Sequence, residues 1–295
     1  MSDNGYRFKV GDFTCLAVSD GFHAYAPPQF PPPEVMLFAN ASPEALSLVR
    51  KRHGLPTPWL EWVSPYICLI VDTGKQLVLV DTGAGNLAPT TGKLLASLRA
   101  EKIAPGDIDI VFNTHGHPDH LGGNVDAAGK PAFPKARYFI SRVEWNFWTS
   151  PQAEQKIDEH SREILVGTAR RNLLPLKGSV DLVEDNTEVV PGIRTISASG
   201  HTPGLMALAI SSKNERLLCI SDVVLHPVHL EMPDWFSVFD VSPGLVAATR
   251  RSLLERAAAE NALVMAFHFP FPGLGRIVPK GNTWQWQALN PVSLP

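Results

Sequence analysis

Apolar residues fall in short runs bounded by glycine, proline or charged positions along most of the chain, so the pattern predicts many short strands alternating with helices. Residues 6–20 mix β-branched and aromatic side chains and close on Asp20-Gly21, a turn pair, which predicts a first strand or hairpin. Residues 66–72 and 76–81 are apolar runs separated by Thr73-Gly74-Lys75 and predict a buried hairpin. Leu94, Leu95 and Leu98 share one face of a helix over 91–100, and 109–113 reads as a short buried strand. Further strands are expected at 137–141, 189–198, 205–211, 216–221 and 262–268, with strand-like pieces at 276–278 and 283–287. Helices are expected over 152–174 and about 243–260. Strands and helices interleaved in this order predict an α/β fold.

One segment breaks the pattern. Pro27, Pro28, Pro31, Pro32 and Pro33 make 26–34 an extended arm, and Ser42-Pro43-Glu44 opens a short helix to about Arg52. We read 1–295 as one domain in which 22–62 is an insertion, acting as a lid or a dimerisation arm. Having little apolar content with which to fold alone, the arm suits a homodimer in which it wraps a neighbour.

Composition narrows the class. Of 295 residues 44% are hydrophobic and 19% charged, which fits a packed globular chain and not a disordered one. A net charge of -3 gives no footprint for nucleic acid, and the basic clusters at 50–52, 170–171 and 250–251 are short. No apolar run approaches the length of a membrane span, and the first residues lack a basic segment followed by an apolar one, so a cytoplasmic protein is expected. Cys15, Cys68 and Cys219 are odd in number and widely spaced, which suits buried thiols rather than disulfides.

The chemistry concentrates in Thr114-His115-Gly116-His117-Pro118-Asp119-His120-Leu121-Gly122-Gly123, directly after a predicted buried strand. Imidazoles and a carboxylate crowded at a strand end need a cation or a dense hydrogen-bond network to offset desolvation. His115 and His117, two apart in extended chain, project to one side and can reach one ion, whereas the turn at Pro118 redirects Asp119 and His120 toward a second. Three more candidate ligands stand where predicted strands stop: His201 in Gly200-His201-Thr202-Pro203-Gly204, Asp222 and His268.

This H-x-H-x-D-H signature, with Gly-His-Thr-Pro-Gly, Ser221-Asp222 and the late His268, resembles the metallo-β-lactamase superfamily over nearly the whole chain. The resemblance implies an αββα sandwich of two mixed β-sheets with helices on both outer faces. It also implies a binuclear centre in which His115, His117 and His201 hold one metal, Asp119, His120 and His268 the other, and Asp222 bridges them. Asp81, in Val80-Asp81-Thr82-Gly83, resembles the family's aspartate that orients ligand histidines. Zinc is the default for the two divalent ions, with iron, manganese or cobalt also admitted by nitrogen and oxygen ligands. Within the superfamily, the tracts 221–225 and 268–275 are most similar to the branch of methyl parathion hydrolase and the acyl-homoserine lactonases. Leu225 stands where many of those lactonases carry tyrosine, so lactone, ester and phosphotriester substrates all stay open.

The expected activity is hydrolysis of small apolar substrates by a metal-bridging hydroxide, with Asp119 and Asp222 as the catalytic carboxylates and Asp119 carrying a proton to the leaving group. Candidate walls of the substrate pocket are Phe22, His23, Tyr25 and Phe30 of the arm, with Trp145, Trp148, Leu225, His226, His229, Trp235 and Phe271. A di-iron redox protein and a non-catalytic ligand-binding member of the same fold are the alternatives. No membrane or nucleic-acid partner is expected.

Overall fold

The computed structural model describes residues 4–289. Two mixed seven-stranded sheets lie face to face. The first contains β1 Gly5–Val10, β2 Phe13–Tyr25, β3 Trp62–Asp72, β4 Leu77–Val80, β5 Ile110–Phe112, β6 Arg137–Ser141 and β7 Val180–Val183, in that spatial order. The second contains β8 Glu188–Val190, β9 Ile193–Ser197, β10 Met206–Ser212, β11 Glu215–Cys219, β12 Leu263–Met265, β13 Leu274–Lys280 and β14 Thr283–Ala288, again as sequential neighbours. Strands β4 to β7 run parallel to one another, as do β11 and β12, while the remaining pairs are antiparallel.

Alternation along each strand divides the core into layers. Cys15 and Ala17 of β2, Ile67, Leu69 and Val71 of β3, and Val78 and Val80 of β4 face the second sheet, where they meet Ile193, Leu208, Ile210, Leu217 and Met265. The intervening residues Leu16, Val18, Tyr66, Cys68, Ile70 and Leu79 face outward onto Leu94 and Leu98 of a helix. A strand buried on both faces reads as a continuous apolar run, which is why 66–72 shows no polar alternation.

The helices are α1 Pro33–Leu37, α2 Pro43–His53, α3 Leu94–Ala100, α4 Pro118–Leu121, α5 Arg142–Thr149, α6 Pro151–Lys156, α7 Glu159–Arg162, α8 Thr168–Leu173, α9 Val228–Glu231 and α10 Pro243–Ala259. With α3 outside the first sheet and α10 covering the second through Leu254 and Ala257, the architecture is the expected αββα sandwich. Among the described residues no helix is long and apolar enough to cross a membrane. All three cysteines are buried and unpaired.

Several elements differ from the sequence expectation. The helix expected over 152–174 is three α-helices, α6, α7 and α8, with a π turn at Glu163–Gly167 between the last two, and helical structure begins earlier, at Arg142. Pro151 lacks the N–H that a continuous helix needs, and the side chains of Ser150 and Asp158 cap the starts of α6 and α7 by accepting from Gln152 N and Ser161 N. The strand expected over 262–268 pairs only through Leu263–Met265, leaving His268 on a loop. Strands β2 and β3 pair as far as Tyr25 and Trp62, so both ends of the 22–62 segment are ladder rather than arm. Its middle packs on its own chain: Met36, Leu37, Phe38, Val49 and Trp59 bury with Leu225, Val228 and Trp235.

Candidate metal centre

The centre lies where the parallel strands of both sheets end, the edge at which loops of α/β folds gather functional groups. The chain leaves β5, bends at Thr114, Gly116 and His117, and enters α4 at Pro118, its first residue. Proline there has its φ preset and has no N–H to leave unpaired. The turn is closed by His120 N donating to His117 O at 3.1 Å, and Thr82 N donates to His120 O at 2.7 Å, fixing the loop to the end of β4. Asp81 and Ser221, which flank the centre, both adopt left-handed backbone, with φ of 61° and 45°. Such conformations cost of order 1 kcal/mol or more in a non-glycine residue and persist only where surrounding contacts hold them.

All seven expected donors converge. His115, His117, His201 and Asp222 form one cluster, and Asp119, His120 and His268 a second, with ligand atoms in each lying within 4.8 Å of one another. Asp222 lies between them, with Oδ1 3.1 Å from His120 Nε2 and Oδ2 at 3.3 Å from His201 Nε2 and 3.1 Å from His268 Nε2. Asp119 Oδ2 is 3.5 Å from His268 Nε2. The first sheet and its loops supply His115 to His120, and the second supplies His201, Asp222 and His268.

The donor set fits a pair of divalent cations on two grounds. His115 Nε2, His120 Nε2 and Asp222 Oδ1 are buried without a hydrogen-bond partner, an arrangement that costs about 1–3 kcal/mol per group unless something else binds them. Charge is the second ground. Burial opposes ionisation of Asp222, yet His120 and His268 hold its carboxyl well below the ordinary range. Burial likewise opposes protonation of His201, but Asp222 and Asp240 raise it to about 9. Burial and the neighbouring His120 push His115 well down, so the cluster's carboxylates demand positive charge that its imidazoles share unevenly.

Each metal-side imidazole of known orientation is held from behind. His120 Nδ1 lies 2.7 Å from Asp81 Oδ2, so Asp81 occupies the orienting position expected of it, and it also accepts from Thr114 N and Thr114 Oγ1, both at 2.8 Å. His268 Nδ1 meets Ser64 Oγ, and His201 Nδ1 meets Asp240 Oδ1, each at 2.7 Å. Sequence reasoning missed Ser64 and Asp240. Neither lies in a motif, and only the tertiary fold brings them to the histidines.

The expected pocket residues divide. His23 is half-buried beside Tyr25 and Phe30 and near enough to Asp119 to feel its charge, while Phe22, its neighbour on the opposite face of β2, is exposed. Trp148 is fully buried behind His117, with ring centroids 5.6 Å apart and its indole N–H donated to Glu144 at 2.8 Å. Trp145 packs with the α5 and α8 helices, and Phe271 against the intersheet core. Leu225 and Trp235 are buried in the arm's own cluster. His229 is fully buried and shares a hydrogen bond of 3.0 Å with Leu37 O, and His226 Nδ1 accepts from Val228 N at 3.2 Å. Tyr25, expected among the walls supplied by the arm, lies near the centre, and so do Trp62 and Tyr66, which were not anticipated.

Comparison with known proteins agrees with this geometry. An N-acyl homoserine lactonase of Bacillus cereus is 25% identical over 225 residues, covering 69% of this chain and 81% of the lactonase. The solved structure of AidC, described as a dizinc quorum-quenching lactonase in complex with a product N-hexanoyl-L-homoserine, superposes with a TM-score of 0.87 at 26% identity, covering 98% of this chain and 99% of that chain. The hydrolase AbOPH, described as in the beta lactamase superfamily, shares the fold with a TM-score of 0.86 at 24% identity, covering 99% of this chain and all of that chain (100%). The sequence profile of the Metallo-beta-lactamase superfamily matches residues 62–268, a span that takes in all seven converging donors, and the chain belongs to that superfamily.

Proposed function

We propose that this metal-dependent hydrolase opens lactones, N-acyl homoserine lactones first among them, with two zinc ions at the centre. The observation that carries the reading is the convergence of seven donors, three of whose atoms are buried without a hydrogen-bond partner, on one point beside an aromatic mouth. The choice of lactone over other acyl substrates is supported by the lactonase relatives, one alike in sequence over 69% of the chain and one alike in structure over 98% of it.

Two divalent cations, when bound, supply Lewis-acid polarisation of the substrate carbonyl and activation of water near neutral pH. The protein's own groups do the rest. Asp222 sits between the two clusters and fixes their separation. Asp119, the most exposed of the carboxylates there, is placed to hold the proton taken from water at Oδ2 and return it to the leaving oxygen. Asp81, Asp240 and Ser64 keep Nδ1 of three imidazoles engaged, so their Nε2 atoms face the centre. His23, Tyr25, Phe30 and Trp62 form an aromatic wall suited to the apolar part of a substrate, and the 22–62 segment acts as the lid over it.

The test is acid release from N-acyl homoserine lactones, followed beside aryl esters and phosphotriesters, on one sample of measured metal content. Lactone opening that is abolished by a chelator and restored by added zinc is the expected result. Metal-replete protein that opens no lactone refutes the substrate reading, and preference for phosphotriesters favours the second reading, which rests on Leu225 filling the lactonase tyrosine position.

A further inference from the structure

The shared end of β2 and β3 brings a second kind of chemical group to the centre. Trp62, Ser64 and Tyr66 alternate along β3 and therefore share a face. All three meet His268: Ser64 Oγ at 2.7 Å from Nδ1, and the rings of Trp62 and Tyr66 with centroids 5.8 and 5.7 Å from the imidazole. Across the ladder Tyr25 pairs with Trp62 and His23 with Ser64, which places the Tyr25 ring on that face, stacked on Trp62 at 5.2 Å. The hydroxyls of Tyr25 and Tyr66 lie 2.7 Å apart.

Neither hydroxyl of this pair is hydrogen-bonded to an imidazole or carboxylate of the centre among the described residues. Tyr66 is sealed, at 0% exposure, and Tyr25 is buried at 9%. A phenol carries its proton at neutral pH, so both hydroxyls can serve as donors. If Tyr66 donates to Tyr25, the Tyr25 hydrogen is left for a third oxygen, since its hydroxyl has no other hydrogen-bond partner among the described residues.

We propose that Tyr25 is a catalytic residue that donates a hydrogen bond to the ring oxygen of the lactone as that oxygen leaves, with Tyr66 as the residue that positions it. The proposal rests on the lactone-opening reading. In the step, the oxygen of water bonds to the carbonyl carbon, and the bond from that carbon to the ring oxygen breaks with its electron pair passing to the ring oxygen. The proton taken from water reaches the ring oxygen through Asp119. Tyr25 keeps its own proton throughout and stabilises the charge that builds before the transfer is complete. The ring oxygen is its partner, rather than the carbonyl oxygen, because the phenols lie on the side of Asp119 and His268.

The experiment compares wild type, Y25F and Y66F as metal-replete protein on an N-acyl homoserine lactone and on 4-nitrophenyl acetate, whose leaving oxygen needs little help. For Y25F we expect unchanged metal content and thermal midpoint, a kcat on the lactone lower by about 100-fold with KM within about threefold, and a loss below about threefold on the aryl ester. Y66F, which keeps the Tyr25 hydroxyl but frees it to swing, should lose about tenfold on the lactone alone. A readout without turnover is calorimetric binding of the ring-opened hydroxy acid, which Y25F should weaken about fivefold. Equal losses on both substrates, or Y25F turning over the lactone like wild type, overturn the proposal while leaving lactonase activity intact. A wild type inert toward lactones overturns both readings.

Discussion

Asp240 stands behind His201: its Oδ1 lies 2.7 Å from His201 Nδ1, while His201 Nε2 faces Asp222 Oδ2 at 3.3 Å. Partners of this kind fix the tautomer and orientation of a ligand imidazole and typically alter metal affinity about 10–100-fold. Asp240→Ala should therefore bind zinc about 10–100-fold more weakly in competition with a chromophoric chelator. An affinity equal to wild type would show that His201 needs no support.

Gly116 separates two of the histidines, and a Cβ built there would lie 2.2 Å from Cδ1 and Nε1 of Trp148. The indole cannot retreat, being fully buried and bonded to Glu144. Gly116→Ala should cost about 1–3 kcal/mol in denaturant unfolding and lower the bound metal per chain. Adding Trp148→Leu should recover much of both, and a lone Gly116→Ala chain with wild-type stability and metal content would rule out the clash.

Arg250 of α10 is fully buried and donates Nε to Val223 O at 2.7 Å and Nη1 to Pro233 O at 2.9 Å, clamping the segment that follows Asp222. Arg250→Met removes the donors and leaves those carbonyls buried, which should lower stability by about 1–3 kcal/mol for each carbonyl left unpaired. Arg250→Lys should recover only part of it, because an ammonium cannot reproduce the planar fork. Urea midpoints decide the matter.

Burial, with a smaller contribution from His53, lowers the His226 pKa from 6.5 to about 3, and burial with Arg250 holds His229 well below its ordinary value. Both are neutral in the fold, whereas in the unfolded chain they take protons once the pH falls below about 6.5. Their contribution to stability is thus full above that pH and declines as the pH drops toward about 3. His226→Asn offers an acceptor in place of Nδ1 for the Val228 amide but does not titrate. In the presence of chelator its thermal midpoint should fall less than that of wild type between pH of about 7.5 and about 5. Parallel declines would mean that His226 carries no acid sensitivity.

Much of the centre was legible in the sequence because its chemistry is dense and local. His115, His117, Asp119 and His120 are neighbours in the chain, and His201, Asp222 and His268 each follow an apolar run that ends where they begin. Asp240 and Ser64 carried no such signal, since a single aspartate in a loop and a serine in a strand are ordinary until the fold carries them to a histidine. Helix α5 was missed because Trp145, Phe147 and Trp148 look like wall or strand, although Ser141 followed by Glu144 ahead of that run is a helix-start signature. Buried Glu144 in fact serves Trp148. The proline-rich arm masked how far β2 and β3 extend, so Tyr25, read as a wall on an arm, is instead a ladder residue opposite Trp62.

The donors divide between the sheets, with His115 to His120 on one and His201, Asp222 and His268 on the other. Ions held among them fasten the two halves of the sandwich along a single seam, in the manner of a rivet. Heat, acid or a chelator that frees the ions would part that seam as it stops the reaction, so durability and catalysis are tied to the same few bonds and selection on either acts on both.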